Sequence, residues 1–562
     1  MTTVQVKQTQ KRTVDSWMAV SLAILAFYLL FLIFPLYKLL RQSLMDTQTG
    51  AFTWDNFLLF FRTPAYIQAM GNSFTVSITV TLLSLLFGVP LAYFMTCYKI
   101  KGDPLLRVLI ILCSMSAPFI GAYAWIVLLG NNGMITNLIK TVTGIKIGSI
   151  YGFAGMTLVM STNLFTMIFL YVSGALKNID NTLLEASANL GVTGFKRFTK
   201  VVLPLCMPTI LAASLLVFMR AFADFGTPLM IGLNYTTFPV LIYDQYVGEV
   251  STNKSFAAAL SVIAIVITTV IFLMQKWANS RFTFTMNALH PIEQKKAHPV
   301  PSFFMHLYCY LLILVSFAPQ IYVIYSSFQN TRGKNFVAGY SFNSYIVAMK
   351  RYSNAIPNTF KIGLAALLLV ILISILISYL VVRRRNALNN VIDVFTMIPY
   401  IIPGSVVAIA LIIAFNKGLL VLTGTSMIMI IALIIRRSPY TIRSSVAILQ
   451  QIPITIEEAS ISLGASKAKT FFKITLPMMA NGVVSGAILS WVSIITELST
   501  AIYLYTNKSM TMTVAIYVFV TRGSDGYAAA MASILTLTTI ISLTLYTYIA
   551  KKANTSSSAM II

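Results

Sequence analysis

Apolar residues in this chain fall into long runs separated by short polar segments. The first run extends from Trp17 to Leu40. It is long enough to cross a bilayer as a helix. It exceeds the apolar region of a signal peptide and no small-residue cleavage pattern follows, so it reads as a retained first span. Similar runs predict spans near 72–97, 105–130, 150–176, 205–232 and 255–276. A second set is predicted near 302–327, 358–382, 388–416, 423–445, 478–506 and 526–550. The chain thus divides into a tail (1–16), a first six-span unit (17–276), a polar linker (277–301), a second six-span unit (302–550) and a second tail (551–562).

The two units share a polar motif. Residues 182–204 read TLLEASANLGVTGFKRFTKVVLP and residues 455–477 read TIEEASISLGASKAKTFFKITLP, with 11 of 23 positions identical and no gap. The offset is 273 residues, about half the chain, which marks an internal repeat. Each copy starts with Thr-x-x-Glu (Thr182 and Glu185; Thr455 and Glu458), which predicts a capping box at a helix start. Gly191 and Gly464 follow Leu at the position where a helix end needs φ > 0. Thr193 and Ser466 can cap a second helix. Pro204 and Pro477 suit the first turn of the next long helix. The unit reads as a short helix, a glycine turn and a basic second helix. The repeat also reaches Asn72-Ser73-Phe74 and Asn358-Thr359-Phe360, which begin corresponding spans.

Composition agrees with the pattern. Apolar residues make up 57% and charged residues 10%, with mean hydropathy +0.82. Soluble domains carry roughly 25% charged residues, so the fold class is an all-α polytopic membrane protein. The net charge of +25 does not indicate nucleic acid, because the basic residues are scattered through short loops. More than half of the 40 Lys and Arg fall in segments that share one side if the N-terminus is inside, with the triplet Arg383-Arg384-Arg385 in a very short loop. The positive-inside rule then places both termini and both repeated motifs in the cytoplasm. Six spans per unit give both units the same topology, so the repeats are parallel. Cys97, Cys113, Cys206 and Cys309 stand singly in apolar runs and read as packing residues. His290, His298 and His306 cluster around the linker and read as loop residues, so no metal site is assigned.

EASANLGVTGFKRFTKVVLP and EASISLGASKAKTFFKITLP resemble the EAA coupling motif of binding-protein-dependent ABC importer permeases, in particular the fused double permeases of the ferric-iron (Fbp/Sfu/Afu-like) type. Ser187 and Ser460 stand where that motif usually has Ala. The resemblance covers nearly the whole chain and implies two six-helix permease domains of the type I ABC importer fold. It implies that Glu185, Ala186, Gly191 and Pro204, with Glu458, Ala459, Gly464 and Pro477, couple the permease to ATPase subunits. It further implies two copies of the ATPase, an extracytoplasmic solute-binding protein and a bacterial plasma (inner) membrane location. No G-x-x-x-x-G-K-[ST] occurs in the chain. The resemblance therefore implies ATP use by partner subunits, with no cofactor on this chain and no enzymatic activity of its own. Ferric iron is the implied solute. Phosphonate, thiamine and polyamine importers of the same class remain alternatives, and an ion-driven secondary transporter is a further one.

Charged residues inside spans call for a functional reading. Asp224 and Glu497 are repeat equivalents at the 273-residue offset. They are candidates for a pathway of oxygen ligands across the pseudo-twofold axis. The competing expectation pairs Asp224 with Arg220, one helical turn before it. Arg436-Arg437 sits late in its expected span, which suggests snorkelling to the inner interface. Gly226 and Pro228 predict a helix break after Asp224. Ser499 and Ala501 stand at the equivalent positions, so the break is expected in the first half only.

Overall fold

The structure is a computed structural model that describes residues 16–47, 49–115, 118–131, 133–144, 150–248, 253–281, 290, 292–332 and 335–559. Most of the N-terminal tail and the middle of the linker therefore lie outside the described residues. Among these residues, ten helices are long and apolar enough to cross a membrane. A bent pair, Ala387–Ile401 and Gly404–Phe415, turns through 113°. Ser426–Gln451 matches the others in length but carries Arg436, Arg437 and Arg443. With these two the helices fall six to each half. The last one runs from Asp525 to Ala559, so the expected second tail is largely helical.

Each half is built around three mutually packed helices. In the first half these are Pro64–Cys97, Phe153–Lys177 and Leu203–Phe222; in the second they are Ala355–Arg383, Ser426–Gln451 and Leu476–Ile495. The opening span of each half reaches across to the other half while keeping contacts with its own. Ser16–Tyr28 packs on Ala355–Arg383 and Ala387–Ile401. There Trp17 meets Tyr379 at 4.6 Å and Phe471 at 5.2 Å between ring centroids, and the Tyr28 hydroxyl reaches Ser438 at 3.1 Å. Reciprocally, Pro299–Ser326 packs on first-half helices, and the Tyr308 hydroxyl donates to the Phe87 carbonyl at 2.9 Å. The halves thus interlock at their first spans, although the sequence divides cleanly at the linker.

The third span of the second half is broken. In the second half the break falls at Ile402-Pro403, where proline has no N–H to continue the ladder. In the first half Asp103–Met115 is followed by Pro118–Leu129.

The fifth span is also broken, and in both halves. Leu203–Phe222 gives way to Gly226–Ile231 and then Phe238–Val247; Leu476–Ile495 gives way to Ala501–Leu504 and then Met512–Thr521. The expectation of a break in the first half alone is therefore corrected. Both copies share an acid at the break. An Asp224 carboxylate oxygen accepts from the Gly226 amide at 3.1 Å, and Glu497 accepts from the Thr500 amide at 3.0 Å. Each carboxylate thus accepts from a backbone amide at the turn that leads into the short helix, a donor the interrupted ladder no longer pairs.

The Asn-Ser-Phe and Asn-Thr-Phe repeats pin the segments beyond the breaks. Asn72 donates to the Thr236 carbonyl at 2.9 Å, and Asn358 to the Lys508 carbonyl at 2.7 Å. The Ser73 and Thr359 hydroxyls accept from the amides of Phe238 and Met512 at 2.7 and 2.8 Å. Unpaired backbone groups at membrane depth are costly, and these side chains remove that cost at equivalent places in the two halves.

Candidate functional site

A cavity of about 410 Å³ lies between the halves. Residues at both helix breaks line it, and it gathers Arg220, Asp224 and Glu497 together with Arg436, Arg437 and Tyr440. The two acids singled out by the repeat offset therefore face the same space.

Their surroundings differ. Glu497 is 5% exposed. One of its oxygens accepts from Arg436 Nη1 at 2.6 Å, and the other is paired with Arg437 Nη2. Arg436 Nη1 also donates to the Thr500 hydroxyl at 2.8 Å, and that hydroxyl reaches the Gly404 carbonyl at 3.3 Å. One carboxylate thus ties the helix Ser426–Gln451, the break after Ile495 and the start of Gly404–Phe415 into a single buried network. Arg436 and Arg437 do not snorkel. Their helix continues to Gln451, so they sit at its middle and turn inward to Glu497.

Asp224 has no ion pair among the described residues and is spent on capping. The expected Arg220–Asp224 pair is absent because the helix ends at Phe222, so Asp224 no longer lies one turn along the same face. Arg220 instead crosses to the other half. It donates to the Tyr440 hydroxyl at 2.8 Å, and its guanidinium lies 5.9 Å from the centroid of that ring. Tyr400 and Tyr440 meet edge to face beside it, 5.8 Å apart. The sequence reading missed Tyr400 and Tyr440 altogether and put Arg436 and Arg437 at the wrong depth. The available signal was the cost of two adjacent arginines in the middle of a span.

Close approaches hold the cavity wall. A Cβ on Gly404 would lie 2.6 Å from Arg436 Nη1 and 2.9 Å from Ser499 Cβ, and one on Gly226 would lie 2.9 Å from Phe119 Cβ. The third and fifth spans thus touch in both halves, with glycine on the fifth span in the first half and on the third span in the second. Gly404→Ala is expected to destabilise the chain by about 1–3 kcal/mol, as overpacking does, because Arg436 is pinned by Glu497 and cannot swing away. Thermal unfolding in detergent measures it; an unchanged midpoint would show that the wall yields.

The repeated motifs form a second candidate surface. The short helices are Asn181–Asn189 and Thr455–Ser462. Neither is capped as expected. In the first copy the cap is Asp180, which accepts from the Thr182 amide at 3.0 Å, and Glu185 accepts from Asn181 Nδ2 at 2.7 Å. In the second, Thr455 is already the first helical residue, and Ile454 before it provides no side-chain cap. The helix ends do repeat closely. Val192 N donates to Ser187 O and Gly191 N to Ala188 O, while Ala465 N donates to Ser460 O and Gly464 N to Ile461 O. This is the Schellman pattern, with Gly191 at φ +76° and Gly464 at φ +88°. The Ser460 hydroxyl bonds Thr470 at 2.9 Å, joining the short helix to the next. Of the expected second caps, Ser466 accepts from the Lys469 amide at 3.3 Å, whereas Thr193 makes no side-chain cap bond.

Beyond the turn, Gly194–Phe222 and Lys467–Ile495 are each continuous through a five-residue π segment, Phe198–Val202 or Phe471–Thr475. Pro204 and Pro477 follow that widening directly. Leu203 N bonds to Phe198 O, five residues back, so the ladder shifts where proline cannot donate. Glu185, Ala186, Glu458 and Ala459 are exposed. Leu190 and Leu463 are 83% and 89% exposed at the tips.

The two copies are braced differently. The first leans on the linker: Asn181 N donates to His290 O at 2.9 Å, and Lys295 pairs with the backbone of Cys97 and Lys99. The second uses a buried ion pair between Arg383 and Glu457 at 2.8 Å.

A profile of binding-protein-dependent transport system inner membrane components matches residues 84–284 and again residues 370–555. The chain belongs to this family. It is a fused double permease, a multi-pass membrane subunit of an ABC importer and not an enzyme. Among its relatives is the ferric transport system permease protein FbpB of Actinobacillus pleuropneumoniae, 26% identical over 525 residues, covering 92% of this chain and 75% of the relative. A putative ferric transport system permease protein FbpB 1 of Haemophilus influenzae is 26% identical over 494 residues, covering 86% and 77%. The spermidine/putrescine permease PotB of Haemophilus influenzae is 28% identical, but over 42% of this chain and 85% of its own length. A solved bacterial alginate importer aligns at TM-score 0.37 and 20% identity, covering 47% of this chain and 95% of the matched chain. The permease works with a separate ATPase and with a solute-binding protein.

Proposed function

We propose that this permease carries ferric iron inward, receiving it from an extracytoplasmic binding protein, with two copies of an ABC ATPase seated on its two repeated motifs. The observation that supports iron is that two double-length relatives named as ferric transport permeases match 92% and 86% of the chain; the polyamine permease is matched over 85% of its own, shorter length. The arrangement of Lys and Arg supports a topology with the motifs and both termini in the cytoplasm.

The motif surfaces suit docking. Small residues (Ala186 and Ala459) beside Glu185 and Glu458 allow close approach, and Leu190 and Leu463 offer an apolar tip to a partner's groove. Gly191 and Gly464 fix the angle of each turn. Pro204 and Pro477 lie within the continuous helices that lead to Asp224 and Glu497. Movement of an ATPase against a motif would therefore be carried along a stiff helix to the break that lines the cavity. ATP is bound and spent by the partner; this chain needs no cofactor of its own.

Within the cavity Asp224 is the carboxylate with no ion pair, and it is the one proposed to meet the cargo as a transient oxygen ligand. Glu497 serves to hold the wall. Asp224→Asn is expected to lower uptake of radioactive iron at least fivefold in proteoliposomes holding the permease, its ATPase and its binding protein, with assembly unchanged. Excess spermidine or molybdate in the same assay should not compete. Competition by either solute, with no iron entering, would replace iron as the cargo.

A further inference from the structure

We propose that Arg220, Arg436 and Arg437 read an oxyanion carried by the cargo, so that iron crosses as an anion-coordinated complex and not as a bare trivalent cation. The inference rests on the ferric reading above and concerns the same cavity. The charged residues that line it are three arginines against two carboxylates. Glu497 has no oxygen to spare, because Arg436 and Arg437 occupy both and the Thr500 amide shares one. Two guanidiniums on one carboxylate leave that wall positive.

The donors are not exhausted either. Arg436 Nε and Arg437 Nε are buried and without a hydrogen-bond partner. A buried charged donor left unpaired is expensive, and a passing anion would relieve it. Across the cavity Arg220 is exposed and donates to the hydroxyl of Tyr440. Tyr440 sits one helical turn beyond Arg436, so Arg220 from one half approaches the arginine pair of the other through that ring.

A bare trivalent cation would meet this surface with like charge in a low-dielectric setting, where repulsion is strong. Planar guanidinium forks instead match carboxylate and phosphate oxygens. Iron is a hard cation that takes oxygen ligands, so phosphate or a polycarboxylate can satisfy iron and arginine together. The cavity volume of about 410 Å³ falls within the ~300–1,000 Å³ of small-molecule sites and exceeds what a stripped ion needs.

The test uses the permease with its ATPase and binding protein in proteoliposomes, supplied with 55Fe plus either 32P-orthophosphate or 14C-citrate. Iron and one oxyanion label are expected to enter at a fixed ratio. Arg220→Gln should cut both at least tenfold, and Arg220→Lys, which keeps the charge but loses the fork, should retain an intermediate rate. Arg220→Lys carries the test if the glutamine variant fails to assemble. Entry of 55Fe with neither oxyanion label, or wild-type uptake by Arg220→Gln, would overturn the inference and leave the ferric reading intact. Entry of an oxyanion label without iron, dependent on Arg220, would uphold the oxyanion site and remove iron as the cargo. No label entering would overturn both.

Discussion

Glu497→Ala is expected to lower the stability of the folded permease by about 3–5 kcal/mol, the usual consequence of removing one partner of a buried ion pair. Two guanidiniums lose their counter-charge at once, since Arg436 and Arg437 both pair with this carboxylate. The Thr500 amide loses its cap as well. Asp224→Ala gives the internal comparison. That carboxylate has no ion pair and loses a cap contact with Gly226, so its cost should be about 1 kcal/mol. The four free, buried cysteines, Cys97, Cys113, Cys206 and Cys309, supply the readout. A thiol-reactive dye in a thermal ramp should label Glu497→Ala well below the wild-type temperature and Asp224→Ala only slightly below it. Equal shifts for the two variants would contradict the network.

Gly191→Leu and Gly464→Leu together are expected to abolish co-purification of the ATPase and to reduce uptake at least tenfold. Both glycines hold positive φ, at +76° and +88°, and a Cβ on either meets nothing within 4 Å. The internal cost is therefore confined to backbone strain of roughly 1–2 kcal/mol per site, with no buried charge left unpaired. The turn would reorient, carrying Leu190 or Leu463 with it, and the docking face would be lost while the chain stayed folded. Retained ATPase at normal unfolding temperature would show that these turns do not set the docking angle. Each single variant is expected to fall between the double variant and the wild type, since one seat remains.

Much of this architecture is legible along the chain. The 273-residue offset that aligns the two motifs also aligns Asp224 with Glu497, and the structure puts both at equivalent breaks around one cavity. The glycine turns follow from Leu-Gly at a helix end, because few residues other than glycine adopt that conformation cheaply. What the sequence does not disclose depends on partners distant in the chain. Arg220 stands four residues before Asp224, a spacing that suggests a pair only if the helix continues; it stops at Phe222. The second break carries no Gly-Pro signature; there a carboxylate accepts from the Thr500 amide instead. Thr182 with Glu185 suggests a capping box, but the helix starts at Asn181 and Asp180 caps it by accepting from the Thr182 amide. The reach of the opening spans across to the other half is invisible to any pattern of apolar runs, because an apolar face does not say which half it covers.

The central claim is that a separate ATPase drives this permease through two stiff helices that end at the cavity. It is tested most directly by iron uptake into proteoliposomes with the binding protein outside, and with ATPase and ATP present or omitted inside, under an imposed proton or sodium gradient. The account predicts uptake only when ATPase and ATP are both present, whatever the gradient. Uptake driven by the gradient in vesicles lacking the ATPase would contradict it.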